Sequence, residues 1–138
     1  MSTSENKDIA NRVVEAINQK NLDLFDELIA ADAVDHAAPP NLPPTRETAK
    51  QYLGALLAAF PDFHYHVEYT IAEGDRVAQR LTGHGTMQGD FMGMKATGKN
   101  ARWTETHISR YASGKMVEHW AYIDQVGMLQ QLGLMPSG

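Results

Sequence analysis

The chain has 138 residues, no cysteine, a formal net charge of −5, and 43% hydrophobic against 21% charged residues. This is one globular domain with room for a core; its acidic balance disfavours nucleic acid and anionic membranes, and the missing thiols exclude disulfides, thiolate metal sites and a cysteine nucleophile. No apolar run reaches the roughly 18 residues of a membrane span, and MSTSENKDIANR lacks the apolar stretch of a signal peptide, so a single cytoplasmic domain over residues 1–138 is expected.

Ser4 or Asn6 can cap a first helix, with Ile9, Val13 and Ile17 on one face. Asn21 can cap a short second helix that turns Leu22, Phe25, Leu28 and Ile29 inward. VDHAAPPNLPPT, Val34 to Thr45, carries four prolines and reads as a semi-rigid loop. Thr45 starts a third helix with Leu53, Leu56, Leu57 and Phe60 as its apolar stripe, and Pro61 stops it.

Beyond Pro61 the period becomes alternating. His64 to Ala72 reads as a strand, Glu73-Gly74-Asp75 as its turn and Arg76 to Met87 as the returning strand. Gln88 to Asn100 is a glycine-rich loop. Ala101 to Tyr111 and Lys115 to Ile123 form a further hairpin, and Asp124 precedes a last helix, QVGMLQQL, which Gly133 can end. Helices followed by antiparallel strands predict an α+β domain. A curved antiparallel sheet wraps around the N-terminal helices and leaves a pocket between the layers.

The turn ASGK sets the register of the last hairpin. A two-residue loop, Ser113-Gly114, would pair Ala112 with Lys115 and requires φ > 0 at Ser113. A three-residue loop with Gly114 left-handed pairs Tyr111 with Lys115 and is preferred. It sets His107 opposite His119 and Glu105 opposite Ala121. One face then carries Trp103, Glu105, His107, Ser109, Val117, His119 and Ala121. The other carries Ile108, Met116, Glu118, Trp120 and Tyr122. A carboxylate beside imidazoles can set their tautomer and basicity, as acid–base catalysis requires.

VDHAAPP, FPDF, EGDRVA, GKMVEHW and LQQLG, in that order over nearly the whole chain, resemble the SnoaL-like polyketide cyclases, also called the ester cyclase group. The resemblance implies a cone-shaped, nuclear-transport-factor-like α+β barrel with a deep apolar pocket, no cofactor and frequent homo-oligomers. It also implies ring closure by intramolecular aldol condensation, with an aspartate base assisted by a histidine and an amide. The family histidine matches His107, the glutamine two residues before it matches Glu105, and the family asparagine falls near Asp35. The position of the aspartate base holds Ala121, which takes no proton. Asp124 is one replacement and also a natural helix cap. Glu105 is the other, unless it is a rim carboxylate paired with Arg80 or Arg102.

The expected catalytic residues are therefore His107, Glu105, His119 and Asp124, and the expected substrate contacts are Asp35, His36, Ala121, Trp103 and Met92. Met87, Met92 and Met94 suit an adaptable pocket wall. His64 and His66 form H-x-H, but no third ligand stands at diagnostic spacing and no metal is expected. His84 reads as structural. The partner expected is a hydrophobic, carbonyl-bearing small molecule. Either an acid–base enzyme or a non-catalytic binder with the same pocket fits the residues. An apolar outer face of Ile108, Met116, Trp120 and Tyr122 predicts a homodimer.

Overall fold

The computed structural model describes residues 2–136. Helix α1 spans Thr3–Asn18, and its cap is Ser2 rather than Ser4 or Asn6. The Ser2 hydroxyl accepts from the Glu5 N–H while the Glu5 carboxylate reaches back to the Ser2 N–H, a capping box. Ile9, Ala10, Val14 and Ile17 are buried, with Val13 at the margin. Asn21 precedes a 3₁₀ turn, Leu22–Leu24, without capping it through its side chain, and α2 covers only Phe25–Leu28.

Ile29 does not close that helix. It opens strand β1, Ile29–Asp35, which the residue pattern did not announce. The proline loop accordingly begins at His36 rather than Val34. Helix α3, Arg46–Ala59, starts from Thr45, whose hydroxyl accepts from the Thr48 N–H. Leu56, Leu57 and Phe60 are buried as expected, and Leu53 partly so.

Strands β2 (His64–Glu73), β3 (Arg76–Thr86), β4 (Asn100–Ala112) and β5 (Lys115–Ile123) match the expected strands to within a residue or so. Helix α4 is Gln125–Gln131, and Gly133 beyond it is left-handed at φ +78°. The sheet runs β1-β5-β4-β3-β2. It is curved but unclosed, with β1 and β2 as its edges, and β1 lies parallel to β5 where only antiparallel pairs were expected. Helix α1 packs on β2 and β3, α3 beside β1, and α4 against β4. The space these layers enclose is the cavity described below.

The β4–β5 hairpin corrects the preferred register. Its loop is the two-residue one: Ala112 pairs with Lys115, and Ser113 (φ +52°) and Gly114 (φ +82°) both lie in the left-handed region, as a type I′ turn requires. Tyr111 then faces Met116. Between there and Arg110–Glu118 the register slips by one, leaving Val117 as the extra residue of a bulge. The turn alone moves the expected pairing by one residue, which would exchange the faces. The bulge moves it by one more and restores them. Glu105, His107, His119 and Ala121 therefore share a face as expected, but His107 opposes Ala121, Ser109 opposes His119 and Glu105 opposes Ile123. Met116, on the turn side of the bulge, is buried in the interior instead of lying on the outer face.

Candidate active site

Alternation along β4 turns Trp103, Glu105, His107 and Ser109 toward the helices, where they line a cavity of about 410 Å³. Its remaining wall is largely apolar. Ala10, Val14 and Ile17 come from α1, Tyr52, Leu53 and Leu56 from α3, and Leu81, Met116 and Met128 from β3, β5 and α4.

Glu105 is only 3% exposed. Tyr65 Oη donates to its Oε1 at 2.7 Å, Trp103 Nε1 donates to its Oε2 at 2.7 Å, and His107 Nε2 lies 2.7 Å from Oε1. The other ring nitrogen of His107, Nδ1, stands 2.8 Å from His119 Nε2. His119 Nδ1 in turn stands 2.9 Å from Asp35 Oδ1. The result is a continuous chain, Glu105–His107–His119–Asp35, running along the sheet side of the cavity. His107 reaches His119 on the diagonal, because the residue directly opposite it is the small Ala121.

Local structure holds both ends of this chain. Asp35 is the last residue of β1, next to β5 and paired with His119 in register. Its Oδ1 also accepts from the Ala37 N–H at 3.0 Å as the proline loop turns away, and its own N–H donates to Pro44 O. Tyr65 sits on the edge strand β2, where the side chain of Asn18 at the end of α1 stands in for a missing strand. The Asn18 amide accepts from Tyr65 N–H at 2.8 Å and donates to Tyr65 O at 2.9 Å.

Burial works to raise the Glu105 carboxyl, but the hydrogen bond and charge of His107, with the Tyr65 and Trp103 donors, hold it below the ordinary carboxylate range. Burial likewise opposes ionisation of Asp35, and His119 with the Ala37 N–H outweighs it, so Asp35 is lowered too. Burial depresses His107 against the raising effect of Glu105, and the neighbouring His119 lowers it further.

With both carboxylates ionised, three contacts require three protons. Two neutral imidazoles bring two, and those are used at the two carboxylate ends. The facing nitrogens of His107 and His119 are then both bare at 2.8 Å. With its imidazoles neutral the chain is one proton short, so the pair has a place for a proton taken from a cavity ligand and can return it afterwards.

Of the residues singled out in the sequence, Asp35, Trp103, Glu105, His107, His119 and Ala121 all line the cavity, and Met92 lines its exposed mouth. Neither Arg80 nor Arg102 pairs with Glu105; the Arg80 guanidinium reaches Thr106. Asp124 is not brought to the chain. It is exposed and caps α4, its Oδ1 accepting from the Gly127 N–H at 3.0 Å. A Cβ at residue 127 would displace that carboxylate from its cap. His36 lies outside the cavity. It stacks on Trp120 with ring centroids 4.8 Å apart, and its Nε2 is 2.8 Å from Glu118 Oε2.

Met87 is fully buried core rather than cavity wall, whereas Met94 lines the cavity. His64 opposes His84 across β2 and β3, with ring centroids 5.8 Å apart. Among the described residues no group of three or more His, Asp or Glu is placed to hold a metal ion. Sequence reasoning missed Tyr65 and Tyr52. Alternation in HYH, with two exposed histidines around it, was the available signal for Tyr65.

The family model for SnoaL-like polyketide cyclase matches residues 7–132. Two relatives are aklanonic acid methyl ester cyclases. DnrD of Streptomyces peucetius is 30% identical over 129 residues, 91% of this chain and 89% of its own. DauD of Streptomyces sp. (strain C5) is 30% identical over 91% of this chain and 80% of its own. Among solved structures, AclR of Streptomyces galilaeus, assigned as a hydroxylase, superposes with a TM-score of 0.88 at 32% identity, covering 99% of this chain and 86% of AclR. IdmH of Streptomyces antibioticus, assigned as a polyketide cyclase, superposes with a TM-score of 0.83 at 37% identity, covering 93% of this chain and 98% of IdmH. TsrD of Streptomyces laurentii, at 18% identity, shares the fold with a TM-score of 0.89 over 98% of this chain and 99% of TsrD. On the strength of the family match across most of its length and of these relatives, this chain belongs to the SnoaL-like polyketide cyclase family.

Proposed function

We propose that the protein is a cyclase for a largely apolar, carbonyl-bearing small molecule, and that Glu105, His107, His119 and Asp35 together replace the aspartate base of the family. The observation that carries the reading is the unbroken chain of 2.7–2.9 Å contacts beside Ala121. His107 and His119 face the cavity, and between their facing nitrogens there is room for one proton. They take an acidic proton α to a carbonyl and return one after the new C–C bond forms. Glu105 and Asp35 orient the two rings and balance their charge. These side chains supply both the acid and the base, so the reading requires no cofactor. Asp124 has no part in it. Trp103, Met92 and Ala121 shape the cavity around the ligand.

The same reading extends to assembly. Ile71, Ala78, Ile108 and Trp120 form one outward row across four strands, and Tyr69, Arg80, Thr106 and Tyr122 the next. Tyr122 is 77% exposed, Ile71 59% and Tyr69 55%. An apolar row bordered by exposed tyrosines suits a two-fold partner. The protein is proposed to be a homodimer through this face and to work in the cytoplasm.

Aklanonic acid methyl ester, named for two relatives, is the first substrate to try. Wild type should convert it, and His107→Ala should lower kcat by about 10²- to 10⁴-fold with ligand binding kept. Ala121→Asp restores a carboxylate directly opposite His107 and should raise turnover. Equal turnover by wild type and His107→Ala would sink the reading, and tight binding without turnover in any of the three would make the protein a binder.

A further inference from the structure

We propose that the hydroxyl of Tyr52 donates a hydrogen bond to the carbonyl oxygen of the bound molecule, and to the oxyanion that forms there when the α-proton leaves. Three tyrosines sit in the interior between helices and sheet. Tyr65 is committed to Glu105 and Tyr111 to Ser109, at 2.7 and 2.8 Å. Tyr52 projects from α3 into the cavity wall, its ring edge-on to Phe91 with centroids 5.8 Å apart. Among the described residues its hydroxyl has no hydrogen-bond partner, although the residue is half-buried.

An unpaired hydroxyl sealed in a core is costly. The phenol of Tyr52 is not sealed. Among the described residues the one fully enclosed polar side-chain atom without a partner is Asn6 Oδ1, so the Tyr52 oxygen is accessible, on a residue that lines the cavity. Burial, and then the charge of Glu105, push the phenol up to about 12. It keeps its proton at any working pH and acts only as a neutral donor. Beside Glu105, both nitrogens of His107 and the indole of Trp103 already have partners. A ketone entering this apolar space gives up its hydrogen bonds to water, and Tyr52 returns one.

The second half of the proposal rests on the proton removal argued above. When the α-proton passes to the histidine pair, the C–H electrons form the C=C bond of an enolate and the carbonyl π electrons move onto oxygen. The Tyr52 proton stays on Tyr52 and hydrogen-bonds the new charge, as an oxyanion-hole donor does.

Two probes of nearly equal shape separate the possibilities: 1-tetralone, which carries one carbonyl, and tetralin, which has none. Tyr52→Phe keeps the ring against Phe91 and removes only the hydroxyl. Calorimetry should show Tyr52→Phe binding 1-tetralone roughly two- to tenfold more weakly than wild type, with tetralin affinity unchanged. Unchanged affinity for 1-tetralone, or an equal loss for both probes, would overturn the assignment. With aklanonic acid methyl ester, Tyr52→Phe should lower kcat about 10²- to 10³-fold. If wild type fails to convert the ester while Tyr52→Phe still loses its preference for the ketone, the donor stands and the cyclase reading falls. If wild type converts it and Tyr52→Phe does so equally well, the oxyanion role falls and the cyclase reading stands.

Discussion

A carboxylate at 3% exposure survives in a core only when its lone pairs are occupied, and Glu105 has donors from Tyr65, Trp103 and His107, each at 2.7 Å. Glutamine has the same shape but turns one acceptor into a donor, which meets the donor-only Trp103 N–H head-on in one orientation and replaces the acceptor of Tyr65 and His107 in the other. Glu105→Gln should cost about 1–3 kcal/mol at pH 7. The carboxyl is lowered in the folded state from an ordinary 4.5. Its contribution is therefore complete above that value and is lost as pH falls through the folded value, because the unfolded chain takes up its proton first. Urea unfolding of the two proteins should show a gap at pH 7 that narrows below about pH 4.5. A gap that widens on acidification would contradict the assignment of an ionised Glu105. His107, depressed from an ordinary 6.5, adds a slope of the same sign at higher pH, so wild-type stability should already decline below that value.

Among the elements, the β4–β5 hairpin departs furthest from what residue preference suggests. Ser113 adopts φ +52° in a turn whose first central position favours asparagine or glycine. The strain is tolerated because the turn and the bulge at Val117 act together. Each moves the register by one residue, and only both together leave Glu105, His107 and His119 on one face. Ser113→Asn relieves the strain without altering the loop length. It should stabilise the protein by about 0.5–1 kcal/mol, read as a raised thermal midpoint, with the cavity and its chemistry unchanged. A lowered midpoint would mean that the serine is held there by a contact asparagine cannot keep.

At the scale of the whole molecule, helices cover one face of the sheet while the other carries an apolar row from β2 to β5 beside a second row that Tyr69 and Tyr122 begin and end. The proposed dimer buries that second face. Sedimentation at micromolar concentration should give twice the 15.3 kDa chain mass. Tyr122→Asp, at the most exposed large aromatic of the face, should shift the population to monomer while leaving the fold intact. A monomeric wild type would remove this face from the assembly argument. It would leave the cavity unaffected, because no residue of the Glu105–His107–His119–Asp35 chain lies on the outer surface.

The sequence by itself determined the helical segments, the limits of the four later strands to within a residue or so, and the common face of Glu105 and His107, because those follow from periods of 3.6 and 2 along a short stretch of chain; His119 joins that face through a different register from the one expected. The family could be read the same way, from motifs strung in order along the chain. Strand β1 was not legible. IAADAVD has little β-branched character and weak alternation, and it is extended because β5 offers it a parallel edge. Asp35 could be suspected from the family motif, but its contact with His119 exists only through that pairing, 84 residues apart in the chain. His36 and Asp124 read as site residues because they neighbour the motif in sequence. The fold turns one onto Trp120 and uses the other as a helix cap. Tertiary structure alone decided which donors surround Glu105 and that the Tyr52 hydroxyl is left open, since hydrogen-bond satisfaction in a core depends on partners that periodicity cannot bring together.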